Sequence, residues 1–229
     1  MKIEKNVITK TLSNKNSFFI NLTFSAIGII NLVLYIIFDC LNMVRGGVAF
    51  YMGFVMYFVT VWLMFAVQLI FKMKFKLLIV IFYQLFLLVA IIGGSLWRGY
   101  DLPVYDKIVH LGSGVLFALV FYELYKNDKK NNLSKFWVFV CVFAFAMMVG
   151  GVWEIYEYTF DGIAGQNMQR ARGFVGREAL ADTLFDMISD FFGGLVGATI
   201  ALILDKKSSK EISSIQRQDT SDQSVEQKS

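Results

Sequence analysis

Six long apolar stretches run along the chain, separated by short polar or basic connections. They predict helices over residues 18–38, 47–71, 75–97, 104–125, 136–158 and 180–204. Each is about 21–25 residues, enough to cross a hydrocarbon core of about 30 Å. The first three stretches are nearly free of ionisable residues, and the last three hold almost all of them. The pattern therefore predicts an all-α polytopic membrane protein: a six-helix transmembrane bundle over 18–204. Residues 18–97 read as a scaffold half and 104–204 as the half bearing a polar site. Residues 1–17 precede the bundle. Residues 205–229, rich in Ser, Gln, Lys and Asp, predict a disordered tail, because such a composition cannot bury a core.

Composition supports the class. Of 229 residues, 56% are hydrophobic and only 17% charged, which excludes an ordinary soluble domain. Sixteen of the 22 lysines and arginines fall in the N-terminus, the 72–76 and 126–135 connections and the tail. The other six are Arg45, Arg98, Lys107, Arg170, Arg172 and Arg177. This bias predicts that both termini are cytoplasmic, in a multi-pass protein of the inner or plasma membrane. The net charge of +4 is thus a topology signal and gives no reason to expect nucleic acid as a partner; the partner expected is the lipid bilayer. Lys2, Lys5, Lys10 and Lys15 precede a first stretch long enough to span, which reads as an uncleaved anchor. Cys40 and Cys141 belong to no ligand cluster and read as small apolar fillers.

The last stretch carries an anomaly. Asp182, Asp186 and Asp190 are four residues apart, so they form one stripe on a helix that is otherwise apolar. An Asp at mid-helix costs about 2.5–3.5 kcal/mol on the insertion scale, or roughly 8–10 kcal/mol for three. The twelve Leu, Ile, Phe and Val residues of that stretch return about 4–7 kcal/mol. The helix is marginal alone, and its stripe must face polar groups, water or a cation. With the orientation above, the fourth stretch begins on the same side, with Asp106 and His110 one turn apart and Ser113 and Gly114 continuing that face. The fifth ends there with Glu154, Glu157, Tyr158 and Asp161 on one face. The sole histidine and at least six carboxylates thereby converge in the outer leaflet.

Glu178 adds to the acids near this site, whereas the nearby bases are Arg98, Lys107, Arg170, Arg172 and Arg177. The acidic excess invites protons or a cation. One imidazole among carboxylates suits a divalent metal such as Zn, Mn or Mg, with His110, Glu154, Glu157, Asp182, Asp186 and Asp190 as candidate ligands. Asp106, His110, Glu154, Glu157 and Asp186 are the candidates for acid/base or metal-assisted catalysis. A polar network that only holds the bundle together is the plain alternative. Glu123 reads as an interfacial residue outside the site. The connection 160–179, with four glycines and three arginines, lies over the site as a long loop. Its Arg170, Arg172 and Arg177 suit the phosphate or carboxylate of a substrate, or else neutralise the acids or touch lipid headgroups. Gly193, Gly197 and Ala201, with Gly194 and Ala198, predict close packing of the last helix against its neighbours, and Gly150–Gly151 and Gly93–Gly94 suggest the same.

The segments "DKIVH", "WEIYEY" and "DTLFDMISDFFGGLVGA" resemble VanZ-like and YjdF-like bacterial membrane proteins over about residues 100–204. The set Asp106, His110, Glu154, Glu157, Asp182, Asp186 and Asp190, in that order, carries the resemblance; Leu111 replaces an aromatic common after the histidine. The resemblance implies a membrane fold and an association with the cell envelope, and no defined reaction. Two functions are expected from different classes. One is a metal-dependent or acid/base hydrolase acting on a lipid-linked or envelope substrate. The other is a non-enzymatic membrane protein: an ion- or proton-coupled transporter, or a structural, envelope-tolerance protein.

Overall fold

The computed structural model describes residues 13–41, 48–102, 104–127, 133–165 and 167–226, of which 205–226 are described by their backbone alone. Lys2, Lys5, Lys10, Arg45, Lys129, Lys130 and Lys228, which entered the orientation count, lie outside the described residues. Six helices follow one another: α1 (Asn14–Cys40), α2 (Val48–Ile70), α3 (Leu77–Leu87), α4 (Tyr105–Asn127), α5 (Lys135–Ala164) and α6 (Ala181–Glu226). The helix of α3 continues in π-helical winding over Leu88–Leu96, and a 3-10 turn, Gly99–Asp101, leads into α4. Six helical segments are long and apolar enough to cross a membrane, and no strand occurs among the described residues. The expected all-α bundle is what the chain forms.

Two ends differ from expectation. α5 runs on to Ala164, about a turn and a half beyond 158, because the glycine that adopts the left-handed terminating conformation is Gly165 (φ 61°), while Gly162 stays helical. The loop over the site is therefore shorter than 160–179. The backbone of α6 continues to Glu226, through the segment read as a disordered tail. Residues 205–226 contain no Gly or Pro to interrupt a helix already nucleated by the span.

The first three helices are held by neutral polar groups as well as apolar bulk. Ser17, Asn21, Ser25 and Gly28 form a buried stripe on α1. Gln68 Nε2 donates to Ser17 Oγ (2.7 Å), and Gln84 Nε2 donates to Asn21 Oδ1 (2.9 Å) and Val61 O (3.0 Å). Trp62 Nε1 donates to Ser25 Oγ (3.1 Å). With no hydrophobic drive between helices inside lipid, such bonds help fix which faces of α1, α2 and α3 meet.

The other half closes on glycine. α6 packs most extensively against α4 and then against α5. Gly114 of α4 faces the Asp190 carbonyl and the Gly194 nitrogen of α6; Gly193 faces the Leu111 carbonyl, and Gly197 faces Val115 and Ala118. Side chains at these positions would overlap the facing backbone, so the small-residue pattern read from the sequence is the α4–α6 seam itself. Gly150 of α5 leaves room for the Asp190 carboxylate, whereas Gly151 faces open space.

Candidate functional site

The seam decides where the polar stripe points. Backbones this close bring the inner faces of α4 and α6 within hydrogen-bond range. His110 Nδ1 lies 2.9 Å from Asp190 Oδ2, and Ser113 Oγ donates to Asp190 Oδ1 at 2.5 Å. With the ring proton placed on Nδ1, this contact is a hydrogen bond donated to Asp190, and Nε2 is the nitrogen turned to the other acids. That nitrogen faces Asp106 Oδ1 at 3.8 Å, Glu154 Oε1 at 3.8 Å and Asp186 Oδ1 at 3.7 Å. These separations exceed a hydrogen bond. They approach the spacing of about 3.4 Å between two ligand atoms that each stand about 2.1 Å from a tetrahedral cation. Donor atoms of Asp106, His110 and Asp186 all lie within 4.8 Å of one another.

The cluster is buried. Asp106, His110, Glu154, Glu157, Asp186 and Asp190 are each no more than 6% exposed. Two cations balance part of the charge. Lys107 Nζ reaches Asp182 Oδ1 (2.6 Å), Asp186 Oδ1 (2.7 Å) and Asp106 Oδ2 (3.3 Å). Arg170 donates to the Tyr100 carbonyl (3.0 Å) and stands 3.5 Å from Asp106 Oδ2 and 3.8 Å from Asp182 Oδ1. Burial first, and then the charges of Asp106 and Glu157, hold the Tyr100 phenol above its ordinary pKa. Both oxygens of Glu154, and Oδ2 of Asp182 and of Asp186, are buried without a hydrogen bond. Thr183, whose hydroxyl receives Gln169 Nε2 at 3.0 Å, is the polar neighbour of Glu154 on α6.

The residues expected from the sequence thus occupy distinct places. Asp106, His110, Glu154 and Asp186 meet around Nε2. Asp190 holds the opposite ring nitrogen, and Asp182 is engaged by Lys107. Glu157 accepts from Trp153 Nε1 at 2.8 Å and lies near Glu154 and Asp106. Arg170 is the loop arginine that stands against Asp106 and Asp182. Arg172 and Arg177 are exposed, and Arg172 donates to the Gly165 carbonyl at 2.8 Å. Arg98 pairs with Asp101 (2.7 Å) at the surface. Asp161 accepts from the Met168 and Gln169 amides (2.7 and 3.0 Å), which anchors the loop. Glu178 is exposed, and Glu123 pairs with Lys76 (2.6 Å), apart from the site.

Lys107 and Ser113 stand closer to the acids than their sequence positions suggest. The signal for Ser113 was its place one turn from His110. Lys107 sits next to Asp106, off the polar face, and only its long stem brings it round. Chemically, the arrangement can hold a divalent cation among His110, Asp106 and Asp186, with Asp190 fixing the ring as outer carboxylates do for metal-binding histidines.

A family described as predicted membrane proteins, DUF2238, aligns with residues 22–207. No curated protein and no solved structure matches the chain.

Proposed function

The chain belongs to the DUF2238 family of predicted membrane proteins, and for a chain so embedded we propose that the α4–α5–α6 cluster is a divalent-cation site serving hydrolysis of a lipid-linked or envelope substrate. One observation carries the reading: the imidazole Nε2 faces three carboxylate oxygens at 3.7–3.8 Å, too far to bond and too near to ignore. His110, Asp106 and Asp186 would hold Zn²⁺, Mn²⁺ or Mg²⁺. Bound there, the cation would supply Lewis acidity and a water of lowered pKa.

The chain's own residues do the rest. Asp190 keeps Nδ1 protonated and the ring oriented. Glu154, buried and without a hydrogen bond, is the group placed to accept a proton from water. Lys107 and Arg170 offset the acids and present positive charge to an anionic head group. The resemblance of residues 100–204 to VanZ-like and YjdF-like proteins supports an envelope role. The lysine and arginine bias supports a site in the outer leaflet of the cell membrane, with both termini cytoplasmic.

A second reading, ion- or proton-coupled transport, is favoured by the Asp182–Asp186–Asp190 ladder. It descends about 12 Å along α6 at about 1.5 Å per residue. Metal analysis of the purified full chain separates the two. Stoichiometric Zn²⁺ or Mn²⁺ that is lost in His110→Ala and Asp186→Asn, with the helical content of both variants intact, supports the hydrolytic site. Failure of the native chain to retain any divalent cation, together with Asp190-dependent flux into proteoliposomes, would replace it with transport.

A further inference from the structure

We propose that the turn Arg172–Arg177 is a membrane-surface foot that docks on acidic phospholipid headgroups. The loop between α5 and α6 has two parts. Residues 168–170 are tied down: Asp161 accepts the Met168 and Gln169 amides, Gln169 Nε2 donates to Thr183 Oγ1 (3.0 Å), and Arg170 donates to Tyr100 O (3.0 Å). Arg172 is held at the base of the turn, its amide by Asn167 Oδ1 (2.9 Å) and its guanidinium by Gly165 O (2.8 Å), and residues 173–177 project beyond it, every one of them exposed. The Phe174 amide bonds back to Ala171 O at 3.1 Å, closing a turn. Gly173 (φ 90°) and Gly176 (φ 59°) adopt the left-handed backbone that such a reversal needs. No atom lies within 4 Å of the place where a side chain on either glycine would stand.

The tip so formed is apolar, with Phe174 54% and Val175 83% exposed. An arginine stands on each side of it, and Glu178 is the acid that follows. Two exposed apolar side chains between guanidinium groups would be unfavourable in bulk water. At a membrane interface they fit, with the apolar tip in the acyl boundary and the arginines on phosphate. The placement agrees. The loop joins the end of one span to the start of the next, so it emerges at a membrane face. Ile163 and Leu180 at its two ends, and Leu102 and Val104 on the neighbouring connection, continue the exposed apolar rim. None of this depends on a cation in the α4–α5–α6 cluster.

The test uses the full chain carrying Val175→Cys, with Cys40→Ser and Cys141→Ala, labelled with an environment-sensitive nitrobenzoxadiazole probe. It is placed in vesicles of phosphatidylcholine with or without phosphatidylglycerol. The expected result is blue-shifted emission, quenched by lipids spin-labelled near the headgroup, and more so with phosphatidylglycerol. Water-like emission in both vesicles, or equal quenching in both, overturns the proposal. An unlabelled readout guards against a misfolded cysteine variant: native mass spectrometry of co-purified lipid. Phosphatidylglycerol retention should fall about fivefold per arginine in Arg172→Gln and Arg177→Gln. Unchanged retention in the double variant overturns the proposal equally.

Discussion

Gly193→Ala tests the seam on which the site rests. A methyl group there meets the Leu111 carbonyl oxygen, and stands 3.0 Å from the Leu111 carbonyl carbon and 3.1 Å from Gly114 Cα. All three are backbone atoms, so no rotamer change relieves the overlap. Carbon atoms prefer separations of about 3.5–4.0 Å, so α4 and α6 must part by roughly 0.5–1 Å, a gap that forfeits a quarter to a half of each dispersion contact across it. Gly151→Ala is the matched control, since it lies inside α5 with no atom within 4 Å of the new methyl. Both variants gain about the same helix propensity, up to about 1 kcal/mol. The difference between them therefore reports the overlap, expected at about 1–3 kcal/mol against Gly193→Ala. Unfolding in mixed micelles, titrated with dodecyl sulfate and followed by circular dichroism, measures it. Parting the helices also stretches the 2.9 Å His110–Asp190 contact beyond hydrogen-bond range, so divalent affinity should fall with stability in the same variant. If the two variants unfold within about 0.5 kcal/mol of each other, the close α4–α6 approach is wrong, and the site geometry with it.

Asp190→Asn keeps the shape but removes the charge behind the imidazole; divalent affinity by isothermal titration should weaken about 10–100-fold with little change in unfolding midpoint. Equal affinity would mean that Asp190 does not tune the ring. The Lys76–Glu123 pair should respond asymmetrically. The Glu123 side chain is 7% exposed and that of Lys76 33%, so Lys76→Met strands a buried carboxylate while Glu123→Gln leaves an ammonium that can reach water. Unfolding measurements should show Lys76→Met costing about 2–3 kcal/mol and Glu123→Gln about 1 or less. Equal costs would contradict the burial assigned to Glu123.

Much of this was legible in the sequence, because membrane segments are written in few letters. Length and apolarity fix the spans. A four-residue spacing of acids fixes a common face, so the gathering of Asp106, His110, Glu154 and Asp186 follows once three helices start or end on one side. Spacing does not say which atom meets which. Asp190 belongs to the same stripe as Asp186, yet it binds Nδ1, because Gly114 and Gly193 let α6 close on α4 at that depth and Gly150 leaves space for its carboxylate. Arg98 and Arg172 look equivalent to Arg170 by charge, but Arg98 pairs with Asp101 at the surface and Arg172 is exposed, while Arg170 (φ 50°) is turned inward, held by the Tyr100 carbonyl. The Ser17–Asn21–Ser25 stripe with Gln68 and Gln84 carries no charge and so stands out less in the sequence, although its four-residue period is the same kind of signal. The π-helical winding of Leu88–Leu96 has no composition cue beyond Gly93 and Gly94, against which Tyr105 and Tyr100 pack.

The pattern of satisfied and unsatisfied oxygens argues against a purely structural role for the acids. A buried polar network stabilises when every member is paired, and a half-paired one is worse than an apolar core. Here the incompleteness is local. Asp190 has both oxygens engaged, by His110 and Ser113. Asp106 has one oxygen beside Lys107 and Arg170, and its other faces Nε2. The atoms left over are Oε1 and Oε2 of Glu154 and Oδ2 of Asp182 and Asp186, and the carboxylates of Glu154 and Asp186 are two of the three that face Nε2. The scaffold half has orphans as well, on Asn21, Gln68 and Gln84, but those are neutral amides whose burial costs far less than that of a carboxylate. Six carboxyl groups against one lysine, one arginine and one imidazole leave negative charge that the described residues do not balance. A cation or protons held at Nε2 and its three carboxylates would complete the network where it is open, and bundle cohesion alone gives no reason for the opening to fall there.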